Sequence, residues 1–415
     1  MTNRTDQPGD SLVSPVAPRS VHRPPRLFLA ALRAAGRNWT NGTFEIIYPD
    51  GASDVFGLSG SGPAGQMRVR DWAMADRVMS GGDIGLAESY IAGEWETPHL
   101  ADLLTTLADN FDRLKGLGRG APVIRAVNWL RHTLFRRNSL HQAQRNIHAH
   151  YDLGNDFYRW WLDPTMTYSS ALFVRERDTL WAAQANKYEA LCDAMDLRPG
   201  QTVLEIGCGW GGFAEHAALQ REARVTGLTI SREQFDWSQK RMHLQNIDDK
   251  VDIQFLDYRE ATGTFDRIAS IEMFEAVGEQ YWPDYFRTIR DRLAADGKAA
   301  LQIITIDDRY FERYRKRVDF IQQMIFPGGM LISEPRLATE MEKAGLRITG
   351  TRRFGQDYAR TLAEWARTFD ANWDALRRLG FDEPFRRLWI FYLAYCEAGF
   401  RTGRTNVIQV ALEPA

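Results

Sequence analysis

The chain has 415 residues, 44% of them apolar and 26% charged, with a formal net charge of −2. That is the composition of a globular protein with room for two domains, and it gives no whole-chain reason to expect nucleic acid as a partner. The three cysteines, Cys192, Cys208 and Cys396, lack paired spacing, which argues against a disulfide framework or a zinc site and fits a reducing, cytoplasmic compartment.

Residues 1–26 are polar, rich in Pro, Ser and Asp, and read as a disordered tail without the apolar core of a signal peptide. No run of about 18 apolar residues marks a membrane span. A first domain is expected over 27–112. Leu27 to Leu32 has helical spacing, Thr43 to Tyr48 alternates like a strand, and Pro49-Asp50-Gly51 is a turn. Helices are expected over 68–79, 85–93 and 100–111. Residues 113–147 differ in kind: Arg113, Arg125, Arg131, Arg136 and Arg137 are interleaved with Val127, Trp129, Leu134 and Phe135. A basic amphipathic linker of this kind suits an anionic bilayer surface, or packs its apolar side on the next domain with its arginines in water.

From 148 to 415 strand and helix alternate. Helices are expected from Leu180 to Met195, Ser231 to Met242 and Trp282 to Leu293. Strands are expected at Thr202–Ile206, Arg224–Leu228, Val251–Phe255 and Arg267–Ile271, then after an Asp296-Gly297 turn at Ala299–Ile306, and last at Arg347–Arg353 and Asn406–Leu412. That rhythm predicts an α/β fold, a doubly wound, mostly parallel, Rossmann-like sheet with a late antiparallel addition. Tyr310 to Ser333 is an insertion between strands. Two later stretches carry aromatic stripes, Trp365, Phe369, Trp373 and then Phe385, Trp389, Tyr392, which at helical spacing read first as core.

The glycine loop Val203-Leu204-Glu205-Ile206-Gly207-Cys208-Gly209-Trp210-Gly211-Gly212 is a strand, a tight turn and a helix start. Glycine serves where backbone takes positive φ or lies against a ligand. A dinucleotide site needs its third glycine one residue later and an acid at the end of the next strand, and neither is present. There is no phosphate-binding lysine motif either. A glycine loop without phosphate machinery suits S-adenosylmethionine, whose nearest group is an amino acid. Glu205 is placed to anchor its ammonium, Asp257 to accept from its adenine amino group, and Glu275 to stand near the reacting methyl.

Several longer stretches carry a resemblance. They include Gly85-Leu86-Ala87-Glu88-Ser89-Tyr90, His150-Tyr151-Asp152-Leu153-Gly154-Asn155-Asp156-Phe157-Tyr158, Tyr168-Ser169, Gly227-Leu228-Thr229-Ile230-Ser231 with Gln234, Asp257-Tyr258-Arg259, Met273-Phe274-Glu275-Ala276-Val277-Gly278 and Phe354-Gly355-Gln356-Asp357-Tyr358. With the glycine loop, in this order over about residues 40–412, the chain resembles the cyclopropane-fatty-acyl-phospholipid synthases, S-adenosylmethionine-dependent lipid methyltransferases. The resemblance implies a class I methyltransferase domain over 148–415 and an amino-terminal domain for lipid binding or dimerisation. It implies an unsaturated phospholipid as partner, at the inner membrane face, and a homodimer. Tyr168 and Ser169 then hold the cofactor's carboxylate, Gly207, Gly209 and Gly211 line its methionine part, Thr229, Ile230 and Gln234 contact the ribose, and Asp257 and Tyr258 flank the adenine.

The family's chemistry adds a methylene across an acyl double bond. The alkene attacks the sulfonium methyl, aromatic faces stabilise the cation, and a bicarbonate ion caged by Cys, Glu, His and Tyr removes a proton. Glu275 and Tyr358 match that cage. Ser170 stands in place of the Cys, Ile304 in place of the His, and Ala276 where many members have another His. Isoleucine offers no side-chain donor, and its bulk raises the cost of burying an anion. Two products stay open: a cyclopropane, if bicarbonate binds, or a methyl-branched chain, if a proton leaves the chain and Glu275 takes it directly. Bland alternatives also stand, Glu275 as a cap of the following turn and Tyr358 as a core phenol. Phe320 to Phe326, with Pro327-Gly328-Gly329, is either an acyl-channel lid or a plain apolar connection. An N- or O-methyltransferase for a soluble acceptor and a binding protein without chemistry are the competing functions.

Overall fold

The computed structural model describes residues 25–110 and 153–415. Most of the tail and all of the basic 113–147 segment lie outside the described residues, as do His150, Tyr151 and Asp152.

The amino-terminal part is a four-stranded sheet in the order β2-β1-β3-β4, made of β1 (Thr43–Ile47), β2 (Ser53–Gly57), β3 (Ala64–Val69) and β4 (Trp95–Glu96). Helices α1 (Arg26–Gly36), α2 (Ala73–Gly81), α3 (Asp83–Ile91) and α4 (Leu100–Asp109) accompany it. The expected helix over 68–79 is corrected here. Arg68 and Val69 end β3, which pairs in parallel with β1, and the helix begins only at Ala73. The reason lies in the alternation of Gly65, Met67 and Val69 inward with Gln66 and Arg68 outward, a period of two that fits a pleated strand.

The second sheet has seven strands in the order β10-β11-β9-β8-β5-β6-β7. Its parallel part is β5 (Thr202–Ile206), β6 (Arg224–Thr229), β7 (Val251–Phe255), β8 (Phe265–Ile271) and β9 (Leu293–Ile306), and β10 (Leu346–Arg353) with β11 (Thr405–Pro414) closes one edge antiparallel. The doubly wound α/β architecture read from the alternating pattern is therefore present. One boundary differs. The strand expected at Ala299 starts at Leu293, and Asp296-Gly297 lies inside it where the register jumps, so that Phe265 faces Leu293 and Arg267 faces Lys298. The turn residues mark a bulge, which their loose backbone preference also serves.

Helices α5 (Asn155–Tyr158), α6 (Leu180–Ala194), α7 (Gly212–Gln220) and α8 (Arg232–Leu244) precede β7, and α9 (Trp282–Arg292) precedes β9. The 310–333 insertion contains the end of α10 (Asp308–Tyr314) and all of α11 (Phe320–Met324), and α12 (Glu334–Lys343) leads into β10. The aromatic stripes fall on α13 (Gly355–Ala371), α14 (Trp373–Arg378) and α15 (Glu383–Arg401). Trp365, Phe369 and Trp389 are buried, as core residues, in one cluster that also takes in Phe44, Met67 and Leu103 of the amino-terminal part. Both parts thus share an apolar core, and α15 lies against α3 and α4. Among the described residues no helix is long and apolar enough to cross a membrane.

Candidate active site

Strand β5 ends at Ile206 and the chain turns through Gly207, Gly209 and Gly211, all at positive φ (82°, 54° and 79°). Backbone N–H groups of Gly207 and Cys208 both bond to Leu228 O, at 3.0 and 2.8 Å, pinning the loop to β6. A Cβ at Gly207 or Gly211 would strike Met273 or Met242 at 2.6 or 2.7 Å, whereas at Gly209 it would meet nothing within 4 Å and project into open cleft. Gly207 and Gly211 face protein, and Gly209 leaves room for a ligand.

The cleft is the catalytic end of a cavity of about 980 Å³ lined by Tyr168, Ser169, Glu205 and the glycine loop, by Thr229, Ile230, Gln234, Asp257 and Tyr258, and by Glu272, Glu275 and Tyr358. The residues expected at the cofactor site, with the exception of Gly211, therefore face one space, at the carboxyl ends of the parallel strands where open α/β sheets bind ligands; Gly211 turns toward Met242 and Ser238 instead. Ser170 is fully buried and reaches the site through its backbone.

The cofactor side has its own electrostatics. Glu205 is buried, accepts from the Ala214 N–H at the start of α7, and leaves Oε2 without a hydrogen-bond partner. Burial pushes its carboxyl up to about 8, against the opposing pull of Lys187 and Arg241. An orphaned carboxylate oxygen beside a glycine cradle fits a cationic ammonium. Ser169 Oγ accepts from Lys187 Nζ at 2.7 Å, and Lys187 is fully buried, its ammonium pushed down to about 7 by burial against the charges of Glu272, Asp163 and Glu205. Ser169 keeps its own O–H for a carboxylate. Tyr168 lies among Tyr158, Trp161 and Trp365, its hydroxyl 2.7 Å from that of Tyr392. Thr229 donates to Gln234 Oε1 at 2.9 Å, and Tyr258 packs edge-on against Tyr285. Asp257 is already held by Arg259, through Nε and Nη2 at 2.8 Å each and the backbone N–H at 3.0 Å. Of its four lone-pair positions one remains, on Oδ2, for an adenine amino group.

At the reaction side the structure adds a residue that the sequence reading passed over. Glu272, at the end of β8, sends its carboxylate to Ser170 and Tyr358. Its Oε1 accepts from Ser170 N and Gln302 Nε2, each at 2.8 Å, and its Oε2 from the Tyr358 hydroxyl at 2.7 Å. Gln302 is held in turn by Gln409, whose Nε2 donates to its Oε1 at 3.1 Å. Burial raises the Glu272 carboxyl above its ordinary range, and those donors and Lys187 pull it back. Its backbone has φ of 49°, a left-handed conformation that a non-glycine residue adopts at some cost and that concentrates at functional positions. Glu275, three residues on, accepts from Ile304 N at 2.5 Å and leaves Oε2 unpartnered. Burial and the neighbouring Glu272 charge push it up to about 8. Its carbonyl accepts from Met330 N at 2.8 Å, and Gln322 Nε2 donates to Gly329 O at 2.8 Å, so the insertion is tied to the Glu275 segment.

Ser170 and Tyr358, expected to cage a small anion, thus both donate to a side chain of the protein. Lys187 and Glu272 each carried a signal. Lys187 sits four residues before Leu191 on the buried side of an amphipathic helix, and Glu272 is a charge at the end of an apolar strand.

A glycine-turned β5–α7 loop, an acid below it and an aromatic-walled cleft beside it define a methyltransferase of the S-adenosylmethionine-dependent class. The chain belongs to the mycolic acid cyclopropane synthetase family, whose model matches residues 138–410. It is 37% identical over 432 residues to a tuberculostearic acid methyltransferase of Mycobacterium tuberculosis, covering 99% of each chain. It is 34% identical over 384 residues to the cyclopropane-fatty-acyl-phospholipid synthase of Escherichia coli K12, covering 90% of this chain and 93% of the relative. Among solved structures it resembles a mycolic acid cyclopropane synthase in complex with SAH and CTAB, with a TM-score of 0.61 and 32% identity over 65% of this chain and 97% of that one.

Proposed function

We propose that the protein methylates a double-bond carbon of an unsaturated fatty-acyl chain of a membrane phospholipid and releases an open, methyl-branched unsaturated chain, with Glu272 as the base. The carrying observation is the Glu272 carboxylate seated between Ser170 N, Gln302 Nε2 and the Tyr358 hydroxyl. A carboxylate there repels bicarbonate and uses the donors a bicarbonate ion needs. The 37% identity to a tuberculostearic acid methyltransferase supports the same reading.

When bound, S-adenosylmethionine supplies an electrophilic methyl on a sulfonium. The protein's part is to hold a weak nucleophile in line with it, exclude water, and manage a cation and a proton. Ile304, Phe326 and Leu362 give the cavity apolar walls. Tyr168, Phe326 and Tyr392 line the same cavity, and aromatic rings there stabilise a cation at the alkene carbon. Three of the four lone-pair positions on Glu272 are occupied by donors, and the fourth, on Oε2, is left to accept a proton. A carboxyl raised by burial is a better base than an exposed one near neutral pH. Glu275, pushed up to about 8, is mainly protonated at neutrality and adds little negative charge beside it.

The test is transfer from S-adenosylmethionine with a fully deuterated methyl to unsaturated phospholipid vesicles, read by mass spectrometry before and after mild catalytic hydrogenation. Expected is a product that keeps all three deuteriums and takes up hydrogen, because the proton leaves the chain. Two deuteriums with no hydrogen uptake is ring closure and overturns the open-chain reading. Absence of label in lipid overturns the substrate class.

A further inference from the structure

Behind the cofactor seat lies a buried cation that the methyl-transfer scheme does not use. Among the described residues, two lysine or arginine side chains are buried, Arg267 and Lys187. Arg267 spends its donors on the carbonyls of Asp196 and Asp266, at the far end of β8 from Glu272. Lys187, on α6, is fully buried, and its Nζ donates to Ser169 Oγ at 2.7 Å. An ammonium carries three donors, and that is its one hydrogen bond to the described residues.

The surrounding bonds tie this lysine to both halves of the site. Its carbonyl accepts from Gln409 Nε2 at 3.1 Å, and Gln409 also donates to Gln302. Gln302 donates to Glu272 at 2.8 Å and to Ser170 O at 3.3 Å, and Glu272 accepts from Ser170 N at 2.8 Å. Ser169 and Ser170 are consecutive. A closed ring therefore runs from Lys187 through the two serines to Glu272 and back through the two glutamines. Gln184, one turn before Lys187, holds the serine pair by donating to Ser169 O at 3.0 Å. Ser169 faces the cofactor cavity on one side and Lys187 on the other.

The charges around Lys187 are acidic. They are Glu205 of β5, Glu272 at the end of β8 and Asp163 from the segment before α6, with the Tyr188 ring 4.4 Å away on its own helix. From β9 and β11, which pack on α6, come the uncharged Gln302 and Gln409. His216 on α7 and Arg221 just after it pair with Glu189 instead. Near the cofactor residues, Arg259 is held by Asp257, and Arg241 by Glu215 and the carbonyls of Thr165 and Trp210. That leaves Lys187 to answer a carboxylate bound at Ser169. An N⁺–H donated to a hydroxyl oxygen polarises its O–H and strengthens the bond that the hydroxyl donates onward.

We infer that Lys187 is a positioning residue shared by both halves of the site: through Ser169 it supplies the positive charge for the cofactor's carboxylate, and from behind the same serine pair it is the counter-ion of Glu272. A carboxylate brought to Ser169 favours the ammonium form of Lys187, and the ammonium favours the ionised form of Glu272. Cofactor binding thereby arms the base. This second half rests on the base role proposed above; the first half stands without it.

Lys187→Met and, independently, Lys187→Gln remove the charge at similar side-chain length. Titration calorimetry with S-adenosylmethionine and with its decarboxylated analogue, alongside melting temperature, reads the first half. Affinity for S-adenosylmethionine falls about tenfold or more, the loss of a charge-assisted hydrogen bond, and affinity for the analogue stays within about twofold. Ser169→Ala gives the same selective loss, and Lys187→Met adds little to it, because the lysine acts through that hydroxyl. Equal losses on both ligands, no loss on either in folded variants, or no selective loss in Ser169→Ala overturns the inference. Single-turnover methyl transfer against pH reads the second half. The rate rises with pH as Glu272 ionises, and loss of the counter-ion moves that rise to higher pH in Lys187→Met but not in Ser169→Ala. A rise at the wild-type pH in Lys187→Met overturns the coupling to Glu272. Absence of any methyl transfer by the wild type is a different result: it strikes the proposed function and leaves the binding comparison standing.

Discussion

Glu272→Gln separates charge from shape at the centre of the site. The amide keeps a carbonyl for Ser170 N and Gln302 Nε2, and its NH2 meets the Tyr358 hydroxyl, which turns to accept. Hydrogen bonds to a charged acceptor become neutral ones, each weaker by about 1 kcal/mol, while the several-kcal/mol penalty of burying an anion disappears. These terms oppose each other and leave a net change of about 2 kcal/mol or less, a few degrees in melting temperature. Catalysis has no such compensation. A positioned base contributes about 10²–10⁴ in rate, or roughly 3–5 kcal/mol of barrier, and the amide has no proton-accepting oxygen to replace it. Single-turnover transfer of labelled methyl to lipid should slow about a thousandfold, with cofactor affinity by titration calorimetry unchanged. A rate within about fivefold of wild type would remove Glu272 from the proton-transfer step. Parallel loss of cofactor affinity would make it a structural residue.

Glu272→Gly relieves the 49° backbone and empties the seat while leaving its donors in place, so added bicarbonate should restore transfer in a saturable way. Rescue by no small carboxylate or bicarbonate would mean that the donors do not form an anion seat. Gly209→Ala should weaken S-adenosylmethionine binding about tenfold or more, because its new Cβ projects into the open cleft, and should also cost about 1–2 kcal/mol of stability, because the residue sits at a φ of 54°. Gly211→Ala, at a φ of 79° and facing Met242 and Ser238 and not the cleft, should lower the melting temperature with less effect on cofactor binding. Glu275 and Glu205 are raised from 4.5 to about 8, so over that window the folded chain keeps protons that the unfolded chain releases, and stability falls as pH rises. Lys187, lowered from 10.5 to about 7, adds stability with rising pH only above about 7. Melting temperature between pH 5 and 7 should therefore decline less steeply in Glu275→Gln than in wild type, and equal slopes would contradict the burial of that carboxyl.

The cofactor half of this site was legible because its chemistry is written in backbone demands. Three glycines at positive φ after an apolar strand leave few alternatives, and the ligand class followed from what the loop lacks. The reaction half was less legible. Nothing local to Ile271-Glu272-Met273 shows that Glu272 has φ of 49° or that its partners come from positions 170, 302 and 358, which only the sheet brings together. Lys187 looked like one charge on a mixed helix, and its burial is a tertiary fact. In the amino-terminal part, β2 was missed for a related reason. Ser53–Gly57 buries only Phe56 fully, so the period-two signal hardly rises above that of a loop.

The departures from the family pattern at Ser170 and Ile304 look, as side chains, like the loss of an anion cage. At the level of the backbone the cage persists. Ser170 contributes its main-chain N–H to Glu272, and Ile304 contributes its own to Glu275. Those N–H groups are fixed by the chain path on either side of the cleft and survive any change of side chain. Loss of the side-chain donors therefore lowers the affinity of the seat for a free ion without removing its preference for negative charge. A tethered carboxylate needs less affinity than a dissolved ion, since attachment already confers a high effective concentration. Glu272 fits that situation: a weakened anion seat with an attached carboxylate to fill it and, on the function proposed above, a base whose presence no longer depends on an ion in solution. The same reasoning gives Tyr358 its place. Its hydroxyl holds Glu272 at 2.7 Å as it would hold a bound ion, and Phe400 stacked on its ring at 4.4 Å keeps it there.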